Sequence, residues 1–313
     1  MKKKFSELLH SSFKSEDTEE WLDVHFTRPV GLAIALICAK IGIHPNTVTT
    51  VSIFLGVGSG FMFYHSDVWH NICGVFLLMV ANFLDSADGQ LARLTDQKTL
   101  IGRMLDGFSG DMWFFSIYIA ITIRLWQEPI PFIGLQWGVV ILLLCALAGF
   151  VCHSHQSSLA DYYRQIHLLF ILGKNGSELD NSKAQEDKLK SLEGKGHFWE
   201  RLFYTNYRKY CLSQERRTPM FQRFFSELRI KYTDANHIPQ QLHDDFRKGS
   251  LPLMKYANLL TFNTRAILIY VACLLNVPYI YPLMEVTVYV WAYLRMKHRH
   301  EKLCKDMYDL YCA

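Results

Sequence analysis

The 313-residue chain contains no CxxC pair. Its 8 cysteines are scattered, and most, such as Cys73, Cys145 and Cys273, stand in apolar segments. They read as small buried hydrophobes, which excludes a disulfide framework and a cysteine-held zinc site. No apolar stretch follows the basic start Lys2, Lys3 and Lys4; an acidic run at 16–20 comes instead, so the beginning does not read as a signal peptide. There is no internal repeat and no low-complexity tract. A large excess of one charge is also lacking: the formal net charge is +4, which gives no footing for nucleic-acid binding.

Apolar and aromatic residues are abundant. Half the chain is hydrophobic, with 21 Phe, 16 Tyr and 7 Trp. The mean hydropathy of +0.06 is high for a chain with 20% charged residues, because long apolar blocks alternate with charged ones. By the criterion of about 20 residues per crossing, six spans are expected, at 47–64, 69–93, 101–125, 132–153, 253–275 and 277–292. The fold class is therefore all-α, a polytopic membrane protein. The stretch 29–43 is apolar but short, and reads as a helix lying on the membrane surface. Lys and Arg concentrate in alternate loops, which puts both termini and the 93–103 loop on the cytoplasmic side.

The expected order is an N-terminal segment at 1–43, four membrane helices within 44–155, a polar cytoplasmic insert at 156–252, two further spans within 253–294 and a tail at 295–313. Within the insert, 174–195 is rich in Gly, Ser, Asn, Lys and Glu and reads as a mobile loop. The part from Phe198 to Tyr232 mixes aromatics with Arg and Lys, and reads as helices with apolar and basic faces that lie on anionic lipid or pack under the membrane helices. Asn258, Asn263, Thr264 and Arg265 make the fifth span polar at its start. Arg265 there either contacts a phosphate of a bound substrate or snorkels to the interface. His153 and His155 read as interfacial histidines.

The densest chemistry lies in residues 85–111, DSADGQLARLTDQKTLIGRMLDGFSGD. Each carboxylate at membrane depth costs about 2.5–3.5 kcal/mol on insertion scales, so a cluster of them points to a bound cation. Asp85 and Asp88 share a helix face. Gly89 and Ala92 leave room for a ligand or a neighbouring helix. Arg93 supplies a fixed cation suited to phosphate oxygens. Gly102 opens the next apolar segment, with Asp106 one turn on. Two helices joined by a short loop would bring Asp85, Asp88 and Asp106 together, and hard oxygen ligands suit Mg²⁺, Mn²⁺ or Ca²⁺. Asn46 and Thr49, after Pro45, have the composition of a helix start.

This spacing resembles the signature of the CDP-alcohol phosphatidyltransferase family: Asp, two residues, Asp-Gly, two residues, Ala-Arg, eight residues, Gly, three residues, Asp, three residues, Asp. Asp85, Asp88, Gly89, Ala92, Arg93, Gly102 and Asp106 fall on it. Upstream, Arg28-Pro29 and the run from Pro45 to Thr49 are also similar. The resemblance implies one or two Mg²⁺ or Mn²⁺ ions on Asp85, Asp88, Asp106 and Asp111. It implies donor or nucleotide contacts at Asn46, Thr49, Gly89, Ala92 and Gly102, and a catalytic role for Arg93. It further implies a homodimer. One position departs: Gly110 stands where the last aspartate belongs, and Asp111 follows. In the family that aspartate is the general base. A single π-turn within 107–110 would aim Asp111 inward; otherwise Asp111 faces elsewhere.

The implied reaction is transfer of a phosphatidyl-type group from a CDP-linked lipid to a small alcohol, with release of CMP. Arg103 and Arg265 as acceptor contacts favour a polyol or inositol phosphate. The other branch of the family, in which a lipid alcohol attacks a CDP-choline or CDP-ethanolamine type donor, shares the signature. Prenyl transfer usually needs two separated Asp-rich motifs, and one is present. A transporter or membrane scaffold with an acidic ion site is the non-enzymatic alternative.

Overall fold

The computed structural model describes residues 5, 7–9, 15, 17–173, 176–192, 194, 196–232 and 239–312. Lys2, Lys3, Lys4 and Glu16, and part of the 174–195 loop, lie outside the described residues. The described chain is helical, with one isolated β-bridge between Pro129 and Gln136. We number the helices α1 Asp23–Ile41, α2 Pro45–Phe63, α3 Val68–Leu94, α4 Leu100–Leu125, α5 Gly138–Leu172, α6 Ser182–Ser191, α7 Phe198–Arg217, α8 Pro219–Lys231, α9 Gln240–Leu259, α10 Phe262–Leu274, α11 Ile280–Val286 and α12 Val288–Tyr311. Five stretches are long and apolar enough to cross a membrane: α1, α2, α3, α5 and the run Gln240–Leu274. The protein is an all-α polytopic membrane protein.

Four of the sequence expectations change. The expected span 101–125 forms the 26-residue helix α4 but, carrying Arg103, Asp106, Asp111 and Arg124, is not among the five stretches apolar enough to cross. The short surface helix lengthens to the 19 residues of α1, so that it too meets the length for crossing. The expected span 277–292 is broken at Thr287, whose φ of −115° and ψ of −82° end α11 before α12 begins. The expected loop at 174–195 contains a helix, α6, started by the Asn181 side chain accepting from the Ala184 amide at 2.8 Å.

The chain forms two compact units. The first comprises Met1–Phe13, Glu19–Ser154 and Phe262–Tyr289. Its centre is the α2–α3–α4 packing. On α2, Ser52, Gly56 and Gly60 lie one turn apart and are buried. A Cβ on Gly56 would clash with the Trp113 ring, and one on Gly60 with the Ser116 hydroxyl. Small residues spaced by four let α4 approach the α2 backbone closely. The Ser116 hydroxyl then donates to the Val57 carbonyl at 2.9 Å. Phe63, Leu78, Trp113, Ile117, Ile121 and Tyr281 fill the core around this contact.

The second unit comprises Lys14–Thr18, His155–Thr261 and Val290–Ala313. It has its own apolar core. The α8 face that the sequence offered to lipid or protein, Phe221, Phe224 and Leu228, is buried. Phe170 stacks on Phe246 at 3.9 Å and Tyr163 on His300 at 3.8 Å. The Ser250 hydroxyl and His167 Nδ1 pair at 2.7 Å, and His167 Nε2 faces Asp17 at 3.4 Å. Ser250 and His167 are both buried, and the serine also back-bonds to the Phe246 carbonyl, so this Ser-His-Asp order reads as a brace between segments.

Replacing Gly56 by Leu should destabilise the first unit by about 1–3 kcal/mol through overpacking, seen as a lower thermal midpoint in detergent. Gly58→Ala, whose added carbon meets only Leu77 at 3.8 Å, should not lower the midpoint. Equal midpoints for the two variants would contradict the close packing of α2 on α4.

Candidate metal and donor site

Two tight connections shape the site. Between α1 and α2, Gly42 adopts a φ of 75°, and the amides of Gly42 and Ile43 return to the carbonyls of Ala39 and Cys38. That closure ends α1, and His44 Nδ1 then accepts from the Asn46 amide at 3.1 Å to start α2, with Pro45 in the first turn. Between α3 and α4, Asp96 takes a φ of 53° and the Gln97 amide reaches the Ala92 carbonyl at 3.0 Å. Asp tolerates this left-handed conformation better than most residues. The Thr99 hydroxyl then caps α4 by accepting from the Gly102 amide at 2.9 Å. The two caps meet: Thr99 Oγ1 stands 3.4 Å from Asn46 Oδ1. Gly102 permits this, since a Cβ there would fall 2.8 Å from Asn46 Oδ1.

The α3–α4 turn brings Asp85, Asp88 and Asp106 to one point. One carboxylate oxygen from each lies within 4.8 Å of the other two. Asp88 is buried, Asp85 half-buried and Asp106 exposed. At an effective dielectric of about 20, each pair of like charges at that distance repels by roughly 3 kcal/mol. Asp88 Oδ2 is buried with no hydrogen-bond donor. A buried carboxylate oxygen without a donor, beside two further carboxylates, fits a divalent cation, because three hard oxygens from two helices can all turn to one ion. Mg²⁺ or Mn²⁺ would be held by Asp85, Asp88 and Asp106.

Other side chains support the three. The Ser109 hydroxyl lies 2.8 Å from Asp85 Oδ1 and 2.8 Å from the Asp106 carbonyl oxygen, tying the α3 carboxylate to α4. Thr49, buried on α2, stands beside the Asp88 carboxylate. Arg93 folds back towards Gly89, where a Cβ would lie 3.5 Å from its guanidinium, and it is within electrostatic range of Asp88. Gly89 and Ala92 are half-buried on the same stretch of α3, and Arg103 is exposed on α4.

Three expectations are not met. The helix α4 runs without a π-turn through 107–110. On a regular helix Asp111 points about 140° from Asp106 and about 160° from Ser109, and it is not among the converging carboxylates. At Gly110 an added Cβ would meet nothing within 4 Å. Arg265 neither snorkels nor presents an open cation. It is buried, with Nε 2.6 Å from Glu285 Oε1 and Nη2 3.4 Å from Oε2. Tyr281 donates to the same carboxylate at 3.2 Å, Tyr118 to Tyr281 at 2.9 Å, and His153 Nδ1 stands 3.4 Å from it. His153, expected at the interface, is therefore interior, under the Phe114 ring at 4.3 Å.

The sequence reading missed Ser109, Thr99 and Glu285. Ser109 follows Asp106 by three residues and so shares its face. Thr99 precedes an apolar run, as capping residues do. Glu285 is a carboxylate inside an apolar stretch, which calls for a partner.

Ser109→Ala should leave the chain folded and weaken Mn²⁺ binding by about 10–100-fold, the usual effect of losing a group that orients a ligand. Electron paramagnetic resonance of Mn²⁺ titrated into purified protein reads this; unchanged affinity would remove Ser109 from the site.

The family model described as CDP-alcohol phosphatidyltransferase matches residues 42–173. The matched stretch begins at the α1–α2 turn and runs through α5, so it contains the three carboxylates, Arg93, Gly102 and the Asn46–Thr99 contact. Comparison with curated proteins found no match.

Proposed function

We propose, for this member of the CDP-alcohol phosphatidyltransferase family, whose matching segment is residues 42–173, a divalent-ion-dependent transfer from a CDP-linked donor to an alcohol at the Asp85–Asp88–Asp106 cluster. The observation that carries this reading is the convergence of those carboxylates within 4.8 Å around the donorless Asp88 Oδ2. Mg²⁺ or Mn²⁺ would neutralise the donor's diphosphate and the charge that develops on departing CMP. Asp85 and Asp88 hold the buried side of the site, steadied by Ser109 and Thr49. Gly89 and Ala92 leave the backbone of α3 open to the nucleotide. Arg93 faces the phosphates, and Asn46 and Gly102 shape the entrance between α2 and α4.

The acceptor hydroxyl attacks the β-phosphorus. The bond from that phosphorus to the CMP oxygen breaks, CMP leaves, and the hydroxyl proton passes to a protein carboxylate. Asp106, the exposed member of the cluster, is the carboxylate best placed to meet an arriving alcohol. Asp111, the residue that the family pattern suggests as base, would have to swing round α4 to do so. Substrate preference rests on fewer residues than the sequence suggested. With Arg265 committed to Glu285, Arg103 alone favours a phosphorylated or polyol acceptor over the CDP-choline type of chemistry. The Lys and Arg pattern supports an active site and termini on the cytoplasmic side.

Asp85→Asn and Asp88→Asn should each reduce CMP release, and labelled CMP exchange into CDP-lipid, to background in purified protein. Activity persisting in both would defeat the assignment, and a transporter or scaffold would show no exchange even as wild type. For the displaced aspartate, Asp111→Asn should retain most of the wild-type rate. A loss as complete as that of Asp88→Asn would identify Asp111 as the base. Gly110→Asp, which has open space for its side chain, should leave the protein folded and raise its affinity for Mn²⁺; unchanged affinity would mean that position 110 does not face the ion.

A further inference from the structure

A second group of ligand-type side chains sits at the other end of the α2–α3 hairpin, in the turn from Tyr64 to Asp67 and the first turn of α3. His65, Asp67 and His70 each offer one ligand atom, all within 4.8 Å of one another. Asp67 and Asp85 are separated along α3 by about 27 Å of helix, so this group is distinct from the carboxylate cluster. Its chemistry also differs. Two imidazoles and one carboxylate suit zinc-class transition ions, whereas three carboxylates suit Mg²⁺ or Mn²⁺.

Helix capping accounts for part of the arrangement. Asp67 Oδ1 accepts from the His70 amide at 3.1 Å, and Oδ2 pairs with His70 Nδ1 at 2.6 Å. It does not account for His65, whose ring stacks on that of His70 at 4.1 Å, with an angle of 29° between planes.

The turn is also braced. Asn71 is fully buried, and its Nδ2 donates to both ligand-bearing carbonyls, to Asp67 at 2.7 Å and to His65 at 3.3 Å. Its Oδ1 accepts from Arg124 Nη1 at 3.1 Å, and that nitrogen also reaches the Phe63 carbonyl at 2.8 Å. Arg124 Nη2 is held in turn by Asn276 Oδ1 at 2.6 Å. One buried asparagine and one arginine from α4 thus fix the backbone that carries two of the three candidate ligands, the kind of support that metal ligands need. Bonds of about 2.0–2.2 Å to one ion place ligand atoms about 3.3 Å apart. The side chains of His70 and Asp67 are 46% and 51% exposed and so have room to rotate that far, with a solvent position left open.

We propose that His65, Asp67 and His70 form a zinc-class divalent metal site that clips the α2–α3 turn at the end of the hairpin remote from the Asp85–Asp88–Asp106 cluster. The test uses purified full-length protein in excess Mg²⁺, with Zn²⁺ titrated against a chromophoric chelator. Wild type should bind one Zn²⁺ that His65→Ala and His70→Gln each weaken by about tenfold or more. Asp88→Asn should bind it as wild type does. Zn²⁺ should raise the thermal midpoint of wild type and not of His65→Ala. Should either histidine variant fail to fold, Co²⁺ loaded into the wild type should give the intense visible bands of a low-coordinate imidazole site. Zn²⁺ affinity unchanged in His65→Ala, binding lost in Asp88→Asn instead, or a Co²⁺ spectrum of the hydrated ion would each overturn the site.

Discussion

Three carboxyl groups held within 4.8 Å of one another, one of them buried, are the constraint around which the α2–α3–α4 packing is organised. Ionised together, Asp85, Asp88 and Asp106 would push the facing ends of α3 and α4 apart. Everything nearby resists that separation. The Asp96 turn fixes the end of α3, Thr99 fixes the start of α4, and Ser109 bridges the two helices. Further along, the small face of α2 seats Trp113 and Ser116 of α4. This convergence is the observation on which the proposed divalent-ion site rests.

A second set of charges in the same unit shows the contrast. Arg265 and Glu285 are each nearly inaccessible to solvent, and they close on one another, with Tyr281, Tyr118 and His153 completing the shell. That network satisfies its carboxylate from within, and removing one charged partner of such a pair typically costs about 3–5 kcal/mol. It ties α10 to α11 and, through His153, to the middle of α5. At the aspartate cluster, Asp88 Oδ2 has no donor. One buried carboxylate is complete within the protein, and the other is arranged for something that arrives from outside.

Much of this was legible in the sequence. The spacing of Asp85, Asp88 and Asp106 around a short loop was enough to bring them together, because helix periodicity and a tight turn leave few alternatives. The all-helical membrane character followed from the segregation of apolar blocks. What could not be read were features set by tertiary packing. Whether α4 would take a π-turn to aim Asp111 depends on what Gly107 and Gly110 face, and both face open space, so nothing forces the helix out of register. Arg265 looked like a surface or substrate-binding cation because its partner, Glu285, lies twenty residues away beyond a helix break. The loop expected at 174–195 was read from composition, which is a poor guide to a short helix such as α6 whose Asn181 cap is a local device.

The most direct test of the central claim is CMP release from a CDP-linked lipid by purified protein stripped of divalent ions and then titrated with Mn²⁺. The account predicts no release in the stripped protein and saturable recovery in wild type, with no recovery at any Mn²⁺ concentration in Asp88→Asn. Full activity without divalent ions, or equal recovery in Asp88→Asn, would contradict it.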